Sequence, residues 1–229
     1  MTHCTFPARL KAFHPFSFLR PLVQMMVSVG VVGLGLSLLA LPALAHHPLG
    51  GRLPANFFEG FMSGVAHPVL GPDHFAFVVA AGLLAAIAPR GVWIPVAFVL
   101  AGLAGTGMHL MRLNLPAAEF FISASVLCFG WVLAMKQRPN LIVVSGLAAL
   151  AGLFHGYAYG EAIVGAEMTP LFAYLVGFTC IQLAIALGAF AVGRALLGQS
   201  SEQPMLSFRF AGFAISGAGV AFLSGVILG

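Results

Sequence analysis

His67-Pro-Val-Leu-Gly-Pro-Asp73-His74 sets two imidazoles and a carboxylate inside a run that is otherwise largely apolar from Phe57 to Ala88. Ionisable groups are costly in hydrocarbon unless they meet a polar cavity, a partner or an ion, so their presence in such a run marks a working site. Imidazole nitrogen combined with carboxylate oxygen suits divalent nickel, cobalt, zinc or copper, whereas an all-oxygen site would favour magnesium or calcium. Pro68, Gly71 and Pro72 fall in the middle of the run and predict a break in its helix, because proline removes a backbone donor and clashes with the preceding turn. Inside a membrane such a break is tolerated where it is buried or lines a wet cavity, and its loosened carbonyls can face an ion.

The rest of the chain fixes the solvent around that stretch. Its 229 residues are 60% hydrophobic and 7% charged, with a mean hydropathy of +1.03, outside the range of a soluble globular domain. The composition predicts an all-α, polytopic helical bundle in a lipid bilayer. The formal charge of +4 is no sign of a nucleic-acid partner, because Arg9, Lys11 and Arg20 all precede the first apolar run. Cys4, Cys128 and Cys180 stand alone, without CxxC spacing, and the latter two read as small hydrophobes within apolar runs.

Residues 1–45 read as an export signal. A basic stretch ending at Arg20 leads into the apolar run Val23 to Leu41, and Ala43-Leu44-Ala45 offers the small residues that a signal peptidase reads. The competing reading is an uncleaved anchor. Cleavage would expose His46-His47, whose imidazoles and the new amine could gather a metal. Residues 46–229 then form one transmembrane domain of six apolar runs, about 56–88, 91–111, 117–135, 140–161, 169–194 and 207–228, most near the ~20 residues a helix needs to cross ~30 Å of hydrocarbon.

Basic residues set the expected orientation. With the mature N-terminus outside, Arg90, Lys136, Arg138, Arg194 and Arg209 fall on the cytoplasmic side and only Arg52 and Arg112 outside, as the positive-inside tendency requires. Glu59, Glu119, Glu161 and Glu167 then lie toward the outer face, where carboxylates concentrate cations. For Glu119 and Glu167 the plainer reading is a solvated helix end.

A second constellation, Phe154-His155-Gly156-Tyr157-Ala158-Tyr159-Gly160-Glu161, occupies the fourth run. At ~1.5 Å per residue, His74 and His155 come out about 21 and 22 Å from the cytoplasmic ends of their helices, at similar depth. His109, on the second run, falls on the same side of the bilayer and reads either as a further ligand or as a hydrogen-bonded packing residue. Gly60 with Gly64, and Gly156 with Gly160, give both motif helices a small-xxx-small pair, which permits close backbone approach. The candidate metal residues are therefore His67, Asp73, His74, His155 and Glu161, joined by His46, His47 and His109.

The H-x5-D-H spacing in the first mature run and F-H-G-x-A-x-G-E in the fourth resemble the HupE/UreJ family of nickel or cobalt permeases, including its branch with a His-Pro start like His46-His47-Pro48-Leu49-Gly50-Gly51. The resemblance spans essentially the whole mature chain. It implies a six-span inner-membrane carrier of nickel or cobalt for hydrogenase, urease or cobalamin maturation. His67, Asp73 and His74 would act as ligands or selectivity residues, and His155 and Glu161 as the second half of the pathway. Independently of it, six runs split into two inverted sets of three, each with a His-plus-carboxylate group, the arrangement of an inverted-repeat transporter. No prosthetic group is required, the metal being cargo, and association into a homo-oligomer stays open. Two rivals from other classes are a membrane-embedded metallohydrolase, for which HExxH, a serine elbow and a nucleophilic Cys-His pair are all missing from the sequence, and a non-transporting metal sensor, for which no connection offers a docking domain.

Overall fold

The computed structural model describes residues 52–198 and 204–229; the expected signal segment and His46-His47 lie outside these. The described residues form helices α1 (Phe57–Leu70), α2 (Pro72–Ile87), α3 (Trp93–Leu110), α4 (Ala118–Ala134), α5 (Leu141–Glu161), α6 (Met168–Leu197) and α7 (Pro204–Leu228). Local chemistry starts two of them in the same way. The Asn56 side chain accepts the Glu59 N–H at 2.9 Å and the Asn140 side chain accepts the Val143 N–H at 3.0 Å, each satisfying a donor that a helix start leaves open.

The first apolar run is broken where its prolines and glycine predict. Gly71 N–H closes α1 on the His67 carbonyl, Gly71 C=O opens α2 by accepting from Phe75, and the axes of the two helices differ by 79°. Pro68 is accommodated within α1; the turn is made at Gly71, with Pro72 at the first position of α2, where its missing N–H costs nothing. A Cβ on Gly71 would meet the His74 ring at 2.5 Å, so glycine lets the elbow fold back on its own histidine.

Helices cover all six apolar runs, but they differ in reach. Four (α3, α5, α6 and α7) are long and apolar enough to cross a membrane, five if the bent α1–α2 pair counts as one span, while α4 has 17 residues. At 30 residues, α6 extends to ~45 Å and serves as the spine for both halves of the broken pair.

Glycines set the helix pairing. On α1, a Cβ at Gly60 or Gly64 would strike the α6 backbone at Pro170 or Tyr174; on α5, Gly152 and Gly156 press against Phe98 and Gly102 of α3; Gly130 of α4 meets Gly212 and Ser216 of α7. Residue numbers rise together along the first two pairs and oppose each other along the third, so α1 runs with α6, α3 with α5, and α4 against α7. The small-xxx-small pairs thus do not join the two motif helices to each other, as the sequence invites one to expect; each fastens its helix to a different neighbour. The motif helices meet instead through side chains, beside a core built on Phe77, Phe98, Phe129 and Leu133, all nearly inaccessible. Cys128 and Cys180 are free thiols on the bundle surface, within apolar helices.

Candidate metal-binding cavity

The elbow delivers its polar groups to one place. His67 lies in the last turn of α1 and Asp73 and His74 in the first turn of α2, so a carboxylate stands at the favourable, positive end of a helix. They line a cavity of about 390 Å³ together with Glu119 at the start of α4 and Tyr157 and Glu161 near the end of α5. Three carboxylates and two imidazoles therefore share one opening. Such a mouth attracts cations, and its donor set suits a borderline divalent transition metal better than magnesium or calcium.

Hydrogen bonds behind the cavity fix how the histidines are presented. Ser125 Oγ donates to the Ile122 carbonyl at 2.6 Å, so the same oxygen accepts from His155 Nε2–H at 3.0 Å. His155 Nδ1 is then the acceptor for His74 Nδ1–H, 2.8 Å away. A parallel relay holds His67: Tyr174 Oη donates to the Tyr159 carbonyl at 2.8 Å and accepts from His67 Nδ1–H at 3.1 Å. In the neutral rings both relays leave Nε2 carrying the lone pair, the nitrogen a metal needs, and a backing hydrogen bond of this kind orients a ligating imidazole and raises its basicity. The two ring centroids are 5.6 Å apart, within reach of a shared ion at bonds of ~2.0–2.1 Å.

Of the residues singled out from sequence, the structure brings His67, Asp73, His74 and Glu161 to the cavity wall. His155 is fully buried and stands one layer behind, against His74. His109 is not on the wall: its ring packs at a tilt on Tyr157, centroids 4.3 Å apart, its Cβ packs on Gly160, and its Nδ1 is buried without a hydrogen-bond partner. Glu119, read as a solvated helix end, lines the cavity, whereas Glu59 is engaged with the Ala55 N–H at 2.8 Å and Arg52 at 3.0 Å. Ser125 and Tyr174 were not singled out, and a serine or tyrosine in an apolar helix carries no signal of this role. Among the described residues no three His, Cys, Asp or Glu side chains close into a ready cage; the donors are spread over the wall of an open chamber.

Behind His155 the packing is aromatic. Phe77 stacks at 4.6 Å on Phe98 and at 4.4 Å on Phe129, and Phe77 and Phe98 both border His155, at 4.8 and 5.4 Å. The chamber's polar wall is thus backed, through His155, by an aromatic floor that does not itself line it.

The HupE / UreJ protein family pattern matches residues 34–222, and over 192 residues the chain is 31% identical to Protein HupE of Rhizobium leguminosarum bv. viciae, covering 83% of this chain and 95% of that protein. The chain belongs to the HupE/UreJ family. No solved structure matches it. Family membership and the apolar helices together make this HupE/UreJ protein a multi-pass membrane protein.

Proposed function

We propose that this HupE/UreJ protein is an inner-membrane permease that takes up a divalent transition metal, nickel or cobalt, for metalloenzyme or cobalamin maturation. The observation that carries the reading is the chamber itself: the two sequence motifs converge on one mouth of carboxylates over His67 and His74, and Phe77, Phe98 and Phe129 pack together on the far side of His155. A chamber open to one side only is one half of an alternating-access cycle.

In this reading the chain crosses the membrane six times, α1 and α2 forming one broken span, after a cleaved signal that leaves the mature N-terminus outside. Glu119 and Glu161 gather the hydrated ion. His67 and His74, with Asp73, replace part of its water shell, and their imidazoles, held by Tyr174 and by His155 with Ser125, select against the hard cations that prefer oxygen alone. Donors spread over an open wall hold the ion with modest affinity, which a carrier needs for release.

An inverted repeat of three spans each has support in the helix pairing. A two-fold axis in the membrane plane would exchange span one with four, two with five and three with six. The glycine-fastened pair of α1 with α6 would then map onto α5 with α3, both running in one direction, and the opposed pair α4 with α7 would map onto itself. Those are the close pairs present. Rocking about such an axis would open the phenylalanine floor while closing the mouth.

Liposomes containing the purified protein alone, loaded through an imposed gradient, test this. Accumulation of radioactive nickel or cobalt, each competed by the other and neither by magnesium, is the expected result; vesicles that stay empty of both metals would refute the permease.

A further inference from the structure

Behind the cavity histidines lies a group of polar atoms that the chamber does not use. Gln182 is fully buried in the middle of α6, and both atoms of its amide, Oε1 and Nε2, have no hydrogen-bond partner; the Tyr159 hydroxyl, also fully buried, has none either. The two side chains face each other, with the Gln182 amide close enough to act on the Tyr159 hydroxyl but not in good hydrogen-bond geometry. Three buried polar atoms in one spot without a well-formed hydrogen bond are exceptional, since buried donors and acceptors are normally satisfied by protein or by bound solvent.

Their position gives them a use. The Tyr159 ring packs against both cavity histidines, with centroids 5.0 Å from His67 and 4.6 Å from His74, so its hydroxyl is one ring away from the chamber. Gln182 lies eight residues beyond Tyr174, the partner of His67, and so ~12 Å further along α6 from the mouth. It falls between Phe178, which packs on Gly64 of α1, and Ala186, which packs on Gly82 of α2, and hence faces the elbow where the broken span changes direction. Gln182 thus offers a passing cation a buried amide oxygen deeper along α6 than Tyr174.

We infer that Tyr159 and Gln182 form a second station for the divalent cation, in which the amide and phenol oxygens and bound water take it over from His67 and His74 on its way across. The inference rests on the permease reading for its direction of travel but not for the existence of the site. An all-oxygen, neutral station holds a nickel-like ion more weakly than imidazoles do, which suits a position from which the ion must leave.

Two substitutions test it, read by uptake into liposomes and by cobalt titration of the purified protein. Gln182→Leu removes buried atoms that have no well-formed hydrogen bond, so the variant is expected to melt no lower than wild type. It should bind cobalt at the chamber as wild type does, yet take up radioactive nickel or cobalt on the order of tenfold more slowly. Gln182→Glu puts a charge at the station and should add a second bound cobalt per chain while slowing release. Uptake by Gln182→Leu at the wild-type rate, or an unchanged cobalt stoichiometry in Gln182→Glu, overturns the station. A second cobalt in Gln182→Glu alongside a wild type that accumulates no metal would instead uphold the site and refute the permease.

Discussion

His74 and His155, 81 positions apart in the chain, place their Nδ1 atoms 2.8 Å from each other, and only His74 of the two reaches the cavity. The pair therefore divides labour: one ring faces the cavity, the other fixes how it does so. With the Ser125 hydroxyl fixing the His155 tautomer, His155→Ala is expected to keep the chamber but lower cobalt affinity by roughly 10- to 100-fold, the usual cost of losing a partner behind a metal ligand. Ser125→Ala, which removes one hydrogen bond worth about 1 kcal/mol, should cost about fivefold. Calorimetric titration of the purified variants checks both, and an equal loss for the two would show that His155 has a more direct part.

Carboxylates at the mouth and at the elbow should behave differently. Glu119 and Glu161 line the opening, where their charges raise the local cation concentration in a salt-dependent way. Glu119→Gln is expected to raise the half-saturating metal concentration several-fold at low ionic strength and much less at high salt. Asp73→Asn, next to both histidines, should lower the maximal rate as well, at any salt. Initial uptake rates over a range of sodium chloride concentrations separate the two behaviours.

Helix pairing offers a stability test free of any assumption about transport. A Cβ at Gly156 would strike the α3 backbone at Gly102, whereas Gly107, on the same pair of helices, has no neighbour within 4 Å. Gly156→Val is expected to destabilise the bundle by at least about 1–3 kcal/mol, the range of forced overpacking. Gly107→Ala should be neutral or stabilising by up to about 1 kcal/mol, since alanine is the better helix former. Melting temperatures followed by size-exclusion of detergent-solubilised protein distinguish them.

The phenylalanine floor carries a further expectation. Truncating Phe98, which touches both Phe77 and His155, opens a hole under the histidines. Phe98→Ala should cost about 3–5 kcal/mol in stability and let metal leak down its gradient from preloaded liposomes, in both directions and without competition between nickel and cobalt.

Much of this was legible in the residues. Pro68, Gly71 and Pro72 announced the elbow, and the apolar run expected over about 140–161 is the helix Leu141–Glu161. Rise per residue set His74 and His155 at one height, and they do meet. Height alone leaves the direction around each helix axis open, and there the sequence fell short. It could not tell that Gly60 and Gly64 face α6 and Gly156 faces α3, nor that His155 turns toward His74 while His109 turns toward Tyr157. The backing groups were silent for another reason: Ser125 and Tyr174 matter through a single hydrogen bond each, and nothing in their neighbours in the chain marks it. Gln182 was the exception, a lone amide in an apolar helix that hydropathy alone could have flagged.

The most direct measurement is X-ray absorption at the nickel edge of the purified, metal-loaded protein, compared with His67→Ala and His74→Ala. The account expects imidazole scattering with additional oxygen donors in the wild type, reduced in each single variant and lost in the double. Imidazole scattering that survives both substitutions, or oxygen donors alone in the wild type, would contradict it.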